Sequence, residues 1–255
     1  QGVDSLPCLP KTAWPPTWRS LQDVVDAVRE NKMKIRKLDQ SEHGKTRGLW
    51  EQVFSEDSQE FVDYYYYIKT KDNTIYVIEE DDEIRAMLQL NPYQVKLQES
   101  VVPSDYIVGV ATQAEYRGRG YMRNLLIHAL QDQYSQKMPF TFLMPASASI
   151  YTPFDFVWIS PFTELPMRVT HLDADGQNRY LASRYQLFCK RDARYMENLK
   201  AEHLAEVGEA PMDEMPPFMA RITDVEQMLR LISSREKKTI WLHVKDEVIE
   251  KNNGY

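Results

Sequence analysis

One stretch limits the fold more than any other. It reads Ile107-Val108-Gly109-Val110-Ala111-Thr112, then Tyr116-Arg117-Gly118-Arg119-Gly120-Tyr121-Met122, then a long amphipathic segment. Alternating apolar residues through Tyr106, Val108 and Val110 predict a strand. From Arg119 to Gln136, residues Met122, Leu125, Leu126, Ala129, Leu130 and Tyr134 fall mostly three and four apart, which predicts the strongest helix of the chain. A strand therefore enters a turn with two glycines, and a helix opens straight out of it. The first N–H groups of such a helix have no internal partner and lie at the positive end of its dipole. Glycines let the backbone curl and keep side chains out of the way. The unit suits a pyrophosphate, with Arg117 and Arg119 adding charge. The same residues also serve as a plain helix-opening turn. The P-loop ending Gly-Lys-Ser/Thr is absent, and Arg123 stands where the dinucleotide fingerprint needs its third glycine.

The rest of the chain supplies the setting. Residues 1–32 read as an extension, broken by Pro7, Pro10, Pro15 and Pro16 and carrying Trp14 and Trp18 as packing residues. From Met33 the expected order is β-α-α-β-β-β-α-β-α-β. Ser41 and Ser58 are N-cap candidates, and the acidic run Glu79 to Glu83 makes a hairpin turn. Strand-like stretches are expected over 156–169 and 180–188. This is an α+β class, a mixed and mostly antiparallel sheet flanked by helices, over 33–190. Arg191 to Ala205 reads as a polar helix, with a Pro-rich linker to 217. A further piece, 218–255, shows a strand at Ala220 and Ile222, a helix at Val225 to Ile232 and a strand over Thr239 to Val244. The chain has no initiator Met and stops after Asn252-Asn253-Gly254-Tyr255, so we expect a piece of a longer protein.

Composition narrows the function. The net charge of −7 argues against sequence-blind nucleic-acid binding and suits a cationic partner. No apolar run is long enough to span a membrane. Two cysteines, Cys8 and Cys189, are too few for a zinc cage or a disulfide framework, and the five histidines show no metal-ligand spacing. A metal-free protein of a reduced compartment, the cytoplasm, is the expectation.

The glycine turn resembles motif A of the GNAT acetyltransferases, Gln/Arg-x-x-Gly-x-Gly/Ala, laid on Arg117, Gly120 and Met122. The order of elements from Met33 to about Phe156 is similar to the GNAT fold. More narrowly it looks like the bacterial enhanced-intracellular-survival (Eis) group. Met144-Pro145-Ala146-Ser147, Ile150-Tyr151, Phe154 and Phe156 resemble that group's Ala-Ser…Ile-Tyr…Phe segment. Met219 to Val225 looks like the opening of the sterol-carrier-like domain with which that group ends. Met122 departs from the usual Gly or Ala, and the group's second GNAT-like domain is reduced to a stub between Arg191 and Pro217.

The resemblance implies an acetyl-CoA-dependent N-acetyltransferase that works by direct transfer in a ternary complex. It implies that the N–H groups of Arg117, Gly118, Arg119, Gly120, Tyr121 and Met122 hold the pyrophosphate of coenzyme A. It further implies that the pantetheine arm pairs with main-chain groups at Val110, Ala111 and Thr112, and that Tyr151 protonates the leaving thiolate. The acceptor would be a small cationic amine or a lysine side chain. Eis-like proteins form hexamers, so the resemblance points to a homo-oligomer. No general base is identifiable; Asp105 and Glu115 read as solvated carboxylates. The run Tyr64 to Tyr67 lies where GNATs line the acceptor site, or simply packs. The competing reading is a non-catalytic protein that binds acyl-CoA or lipid.

Overall fold

The computed structural model describes residues 33–206 and 216–254, apart from 235 and 238. The extension over 1–32 and most of the linker around Pro211 lie outside these residues.

Described helices are Arg47–Val53 (α1), Gln59–Tyr67 (α2), Tyr121–Ser135 (α3), Ala148–Tyr151 (α4), Met167–Thr170 (α5), Ala174–Ala182 (α6), Ala193–Ala205 (α7) and Val225–Arg230 (α8). Strands are Lys34–Lys37 (β1), Thr74–Glu80 (β2), Glu83–Leu97 (β3), Ser100–Thr112 (β4), Phe140–Leu143 (β5), Val157–Ser160 (β6), Leu187–Cys189 (β7) and Phe218–Ile222 (β8). They form one sheet in the order β1-β2-β3-β4-β5-β8-β6, with β7 pairing beside the end of β3. Only β4 and β5 run parallel, joined by the crossover helix α3; the other pairs are antiparallel. Asp81 and Asp82, at φ 54° and 60°, close the β2–β3 hairpin as expected for an acidic turn.

The central strands β2, β3 and β4 alternate between two buried faces. Tyr76, Ile78, Leu88, Leu90 and Ile107 pack under α3 with Leu125, Leu126, Leu130, Phe156 and Met219. Ile75, Val77, Met87 and Ala111 pack on the other face under α1 and α2, with Trp50, Val62, Tyr64 and Tyr65. The Ser58 hydroxyl caps α2 by accepting the Phe61 N–H at 3.2 Å. Ser41 is not a cap: it lies within a 3-10 turn over Gln40–Thr46, whose N-cap is Asp39.

Four further expectations change. Of the stretch 156–169 only Val157–Ser160 is strand, and Met167–Thr170 is helical. Of 180–188 the first part belongs to α6, capped by Asp173 accepting the Gly176 N–H at 2.7 Å, with Gln177 and Leu181 four apart on its buried side. Thr239 to Val244 finds no neighbouring strand; Trp241 is 85% exposed, and Val244 alone bridges to Gly254. Residues 218–222, expected to open a separate piece, instead run as β8 between β5 and β6, with Met219 buried in the main core. β6 and β8 are thus neighbours in the sheet although far apart along the chain. Between them in sequence, β7 lines up on Val95–Leu97 and α7 lies against α2.

Candidate active site

The site begins as a break in strand pairing. Met87 faces Ala111 and Gln89 faces Val108, so Gly109 and Val110 together oppose Leu88. This is a β-bulge, and Gly109 sits in it at φ 57°. A Cβ there would lie 2.6 Å from Cζ3 of Trp50, so both the backbone angle and the ring demand glycine. On its other side β4 pairs with β5 only at Tyr106 and Phe142. From Ile107 to Thr112 the β5-facing edge of β4 therefore meets no strand, and a wedge opens with backbone donors and acceptors along one wall.

β4 delivers the chain to the glycine turn. The Arg117 Nε–H donates to the Thr112 carbonyl at 3.2 Å, which folds the turn back on the strand end. Gly118 and Gly120 have φ of 77° and 82°, and the space where their Cβ atoms would be is empty for 4 Å. Gly120 is the N-cap of α3 and supplies no side-chain cap. Among the described residues, no acceptor meets the N–H groups of Gly118 to Arg123. Six donors without an internal partner thus stand at an exposed helix start, where the helix dipole favours negative charge. The Arg119 guanidinium stacks 4.5 Å over the Tyr116 ring, and Arg85 lies 4.6 Å over the same ring. Arg123 lies 5.5 Å over Phe154, on the segment that follows Tyr151.

The named residues do not all face one way. Val110 and Met122 pack against the cluster that contains Tyr121 and Tyr151. Ala111 points its methyl group to the opposite face, beneath α1 and α2, so only its main chain is available to the wedge. Tyr121 is 1% exposed, and its hydroxyl donates to Glu80 Oε2 at 2.6 Å; its side chain is core and its N–H is what it offers. Tyr151, on α4, is 8% exposed with its ring 5.8 Å from Phe156. Burial pushes the Tyr151 phenol up to about 12, so it keeps its proton at neutral pH. Its hydroxyl meets no hydrogen-bond partner among the described residues.

Asp105 is not the solvated carboxylate that its neighbourhood suggested. Burial raises it to about 6, and it accepts from Gln133 Nε2 at 3.0 Å beneath α3. The run Tyr64 to Tyr67 packs: Tyr65 donates to Asn91 at 3.0 Å, Tyr66 bonds Thr46 at 2.9 Å, and Tyr67 is 67% exposed. Sequence reading passed over Gly109. The available signal was an isolated glycine inside a strand pattern, which marks a bulge.

Among the described residues no group of His, Cys, Asp or Glu is placed to hold a metal, and no helix is long and apolar enough to cross a membrane. Several solved structures share the fold. A probable N-acyltransferase from Enterococcus faecalis superposes with a TM-score of 0.63 at 15% identity, covering 87% of this chain and 81% of its own. A GCN5-related N-acetyltransferase from Anabaena variabilis gives 0.62 at 15% identity with the same coverage. Eis1 from Mycobacterium abscessus gives 0.57 at 13% identity, again over 87% and 81%. No curated protein matches the chain in sequence. The stretch from β1 to β6, residues 34–159, matches the family described as acetyltransferase (GNAT) domain. The wedge beside β4 and the bare donors at the start of α3 both lie within this stretch, which is similar to a GNAT acetyltransferase domain.

Proposed function

We propose that the protein transfers the acetyl group of acetyl-CoA to a primary amine, directly, with both substrates bound at once. The observation that carries this reading is the run of unmet N–H groups from Gly118 to Arg123 at the mouth of the β4–β5 wedge. The empty cradle at Gly118 and Gly120 fits a pyrophosphate, which any Cβ there would crowd.

Acetyl-CoA, when bound, supplies an acetyl group activated as a thioester. In this reading the N–H groups of Gly118 to Met122 grip its pyrophosphate; the Arg117 N–H is taken by the Ala114 carbonyl at 3.3 Å, and the Arg117 and Arg119 side chains add charge at the rim. The free edge of β4 at Val110, Ala111 and Thr112 pairs with the amides of the pantetheine arm and aims the thioester into the wedge. An N–H of that edge also supports charge developing on the acetyl oxygen, a contribution of about 3 kcal/mol where such donors are fixed in advance. The Tyr151 phenol, held protonated by burial, donates its proton to the departing sulfur. Asp105 is bonded to Gln133 beneath α3, so the amine proton leaves to water.

The net charge of −7 favours a cationic acceptor. Release of free thiol from acetyl-CoA over a panel of primary amines tests the reading. Tyr151→Phe should bind acetyl-CoA normally and turn over about a hundredfold more slowly. Full turnover by Tyr151→Phe would remove the acid role, and no thiol release with any amine would remove the transfer.

A further inference from the structure

Away from the wedge, a half-open pocket of ≈ 400 Å³ lies between the α2–β2 connection, β3 and α7. Its lining residues that are not exposed are Lys69, Tyr93, Tyr195, Asn198 and Glu202. The last three stand at i, i+3 and i+7 of α7, so one face of that helix turns into the pocket. An inward helix face is ordinarily apolar. Here it presents a carboxamide and a carboxylate. Asn198 is only 9% exposed, yet neither its side chain nor the Glu202 carboxylate meets a hydrogen-bond or ion-pair partner among the described residues. Their polar atoms are not sealed in the core but open into the pocket, where a ligand can reach them.

Across the pocket the Lys69 ammonium donates to the Tyr93 hydroxyl at 3.1 Å and lies 4.7 Å over its ring. Burial holds the Lys69 amine below its ordinary range and the Glu202 carboxyl above its own, and each feels the other's charge. They form no ion pair. At the rim, Asp72 and Arg194 neutralise each other at 2.7 Å. A desolvated cation and a desolvated anion therefore face one space without touching, which is unfavourable unless a third party joins them.

The pocket shares a sheet face with the wedge. Tyr93 and Tyr106 both rest on Phe142, with ring centroids 6.1 and 5.4 Å away. Ser104, the strand partner of Tyr93, precedes Val108 by four residues, a distance of about 13 Å along β4.

We propose that this pocket binds the zwitterionic head of an amino-acid-like acceptor, Glu202 and Asn198 taking its ammonium and Lys69 its carboxylate, while a second amine of the same molecule extends toward the wedge. Naming the ligand as the acceptor rests on the acetyl-transfer reading; the head-group site does not.

Calorimetric titration of the full chain tests it with three probes: L-lysine, cadaverine, which lacks the carboxylate, and 6-aminohexanoic acid, which lacks the α-ammonium. L-lysine should bind, and each of the other two should bind about tenfold more weakly or worse, as expected for one lost charge-assisted hydrogen bond. Glu202→Gln, nearly the same shape, should weaken L-lysine by a similar factor with its unfolding midpoint unchanged. Cadaverine binding as tightly as L-lysine would make the pocket a cation site and overturn the proposal. So would equal binding of 6-aminohexanoic acid, an unaltered Glu202→Gln, or no binding of L-lysine at millimolar concentration. Thiol release from acetyl-CoA, followed separately, tells the two proposals apart. Head-group binding without transfer would leave the pocket standing and remove the transfer reading, and transfer without head-group binding would do the reverse.

Discussion

Replacing Gly109 by alanine places one methyl group where the structure has room for none. The residue sits at φ 57° in the β4 bulge, and the new Cβ would lie 2.6 Å from Cζ3 and 3.1 Å from Cε3 of Trp50. The left-handed backbone alone costs a non-glycine residue about 1–2 kcal/mol. Trp50 is 3% exposed and packed by Phe54 and Tyr65 at 5.1 and 4.5 Å, so its ring cannot swing aside freely. Forcing a methyl group into such packing adds about 1–3 kcal/mol. The sum is about 2–5 kcal/mol, which for a chain of this size lowers the melting temperature by about 4–20 °C. Urea unfolding of the full chain, followed by tryptophan fluorescence and circular dichroism together, measures it. A double-mutant cycle with Trp50→Leu separates the two parts. With the ring gone, the packing part should vanish and the backbone part remain, leaving a non-additivity of about 1–3 kcal/mol. A loss below about 0.5 kcal/mol for Gly109→Ala, or strict additivity in the cycle, would refute the close approach of bulge and ring.

Other consequences follow from the same geometry. Because burial raises Tyr151 to about 12, its proton should be available from pH 7 to 10, and the turnover number should show no alkaline fall in that range; a fall with a midpoint near 9 would show a different acid. Asp246 ties the C-terminal segment to β8. It accepts from Arg221 Nη2 at 2.5 Å and from the Val248 and Ile249 N–H groups at 2.9 and 2.7 Å. Asp246→Ala leaves a guanidinium that is 2% exposed with only the longer contact to Asp155 at 3.6 Å, so urea unfolding should show a loss of about 3 kcal/mol. Burial alone would raise the Asp246 carboxyl, but these donors outweigh it and hold it below its ordinary value. Its contribution is therefore present above pH ~4 and lost as the pH falls through the lower folded value, a dependence that Asp246→Ala should remove.

How much of this was legible in the sequence depends on how local each signal is. The helix α3 carries its period and its glycine start in one continuous stretch, and the structure differs from the reading by a residue or two. The hairpin at Asp81 and Asp82 was equally local. By contrast, β8 is a strand by virtue of its neighbours. Thr141 faces Arg221 and Trp158 faces Met219, pairings across about eighty and sixty residues that no window along the chain contains. The segment 180–188 misled because Tyr180 and Leu181 look strand-like, whereas the deciding feature is the Asp173 cap seven residues earlier. Tyr121 was placed in the site by its position after Gly120; its ring is in the core because the first turn of α3 lies directly on β2, where Glu80 accepts a hydrogen bond from its hydroxyl. The α7 pocket left no motif, since Lys69, Tyr93 and Glu202 are distant in sequence and meet only through the sheet.

Thermal unfolding with and without acetyl-CoA tests the phosphate-binding turn most directly. A ligand at a hundred times its dissociation constant stabilises the folded chain by about 2.7 kcal/mol, a shift of several degrees. The wild-type chain should show that shift. Gly120→Val, which fills the empty cradle at φ 82°, should fold and show none. No shift in the wild-type chain at millimolar acetyl-CoA, or an equal shift in Gly120→Val, would contradict the assignment of the turn to the cofactor.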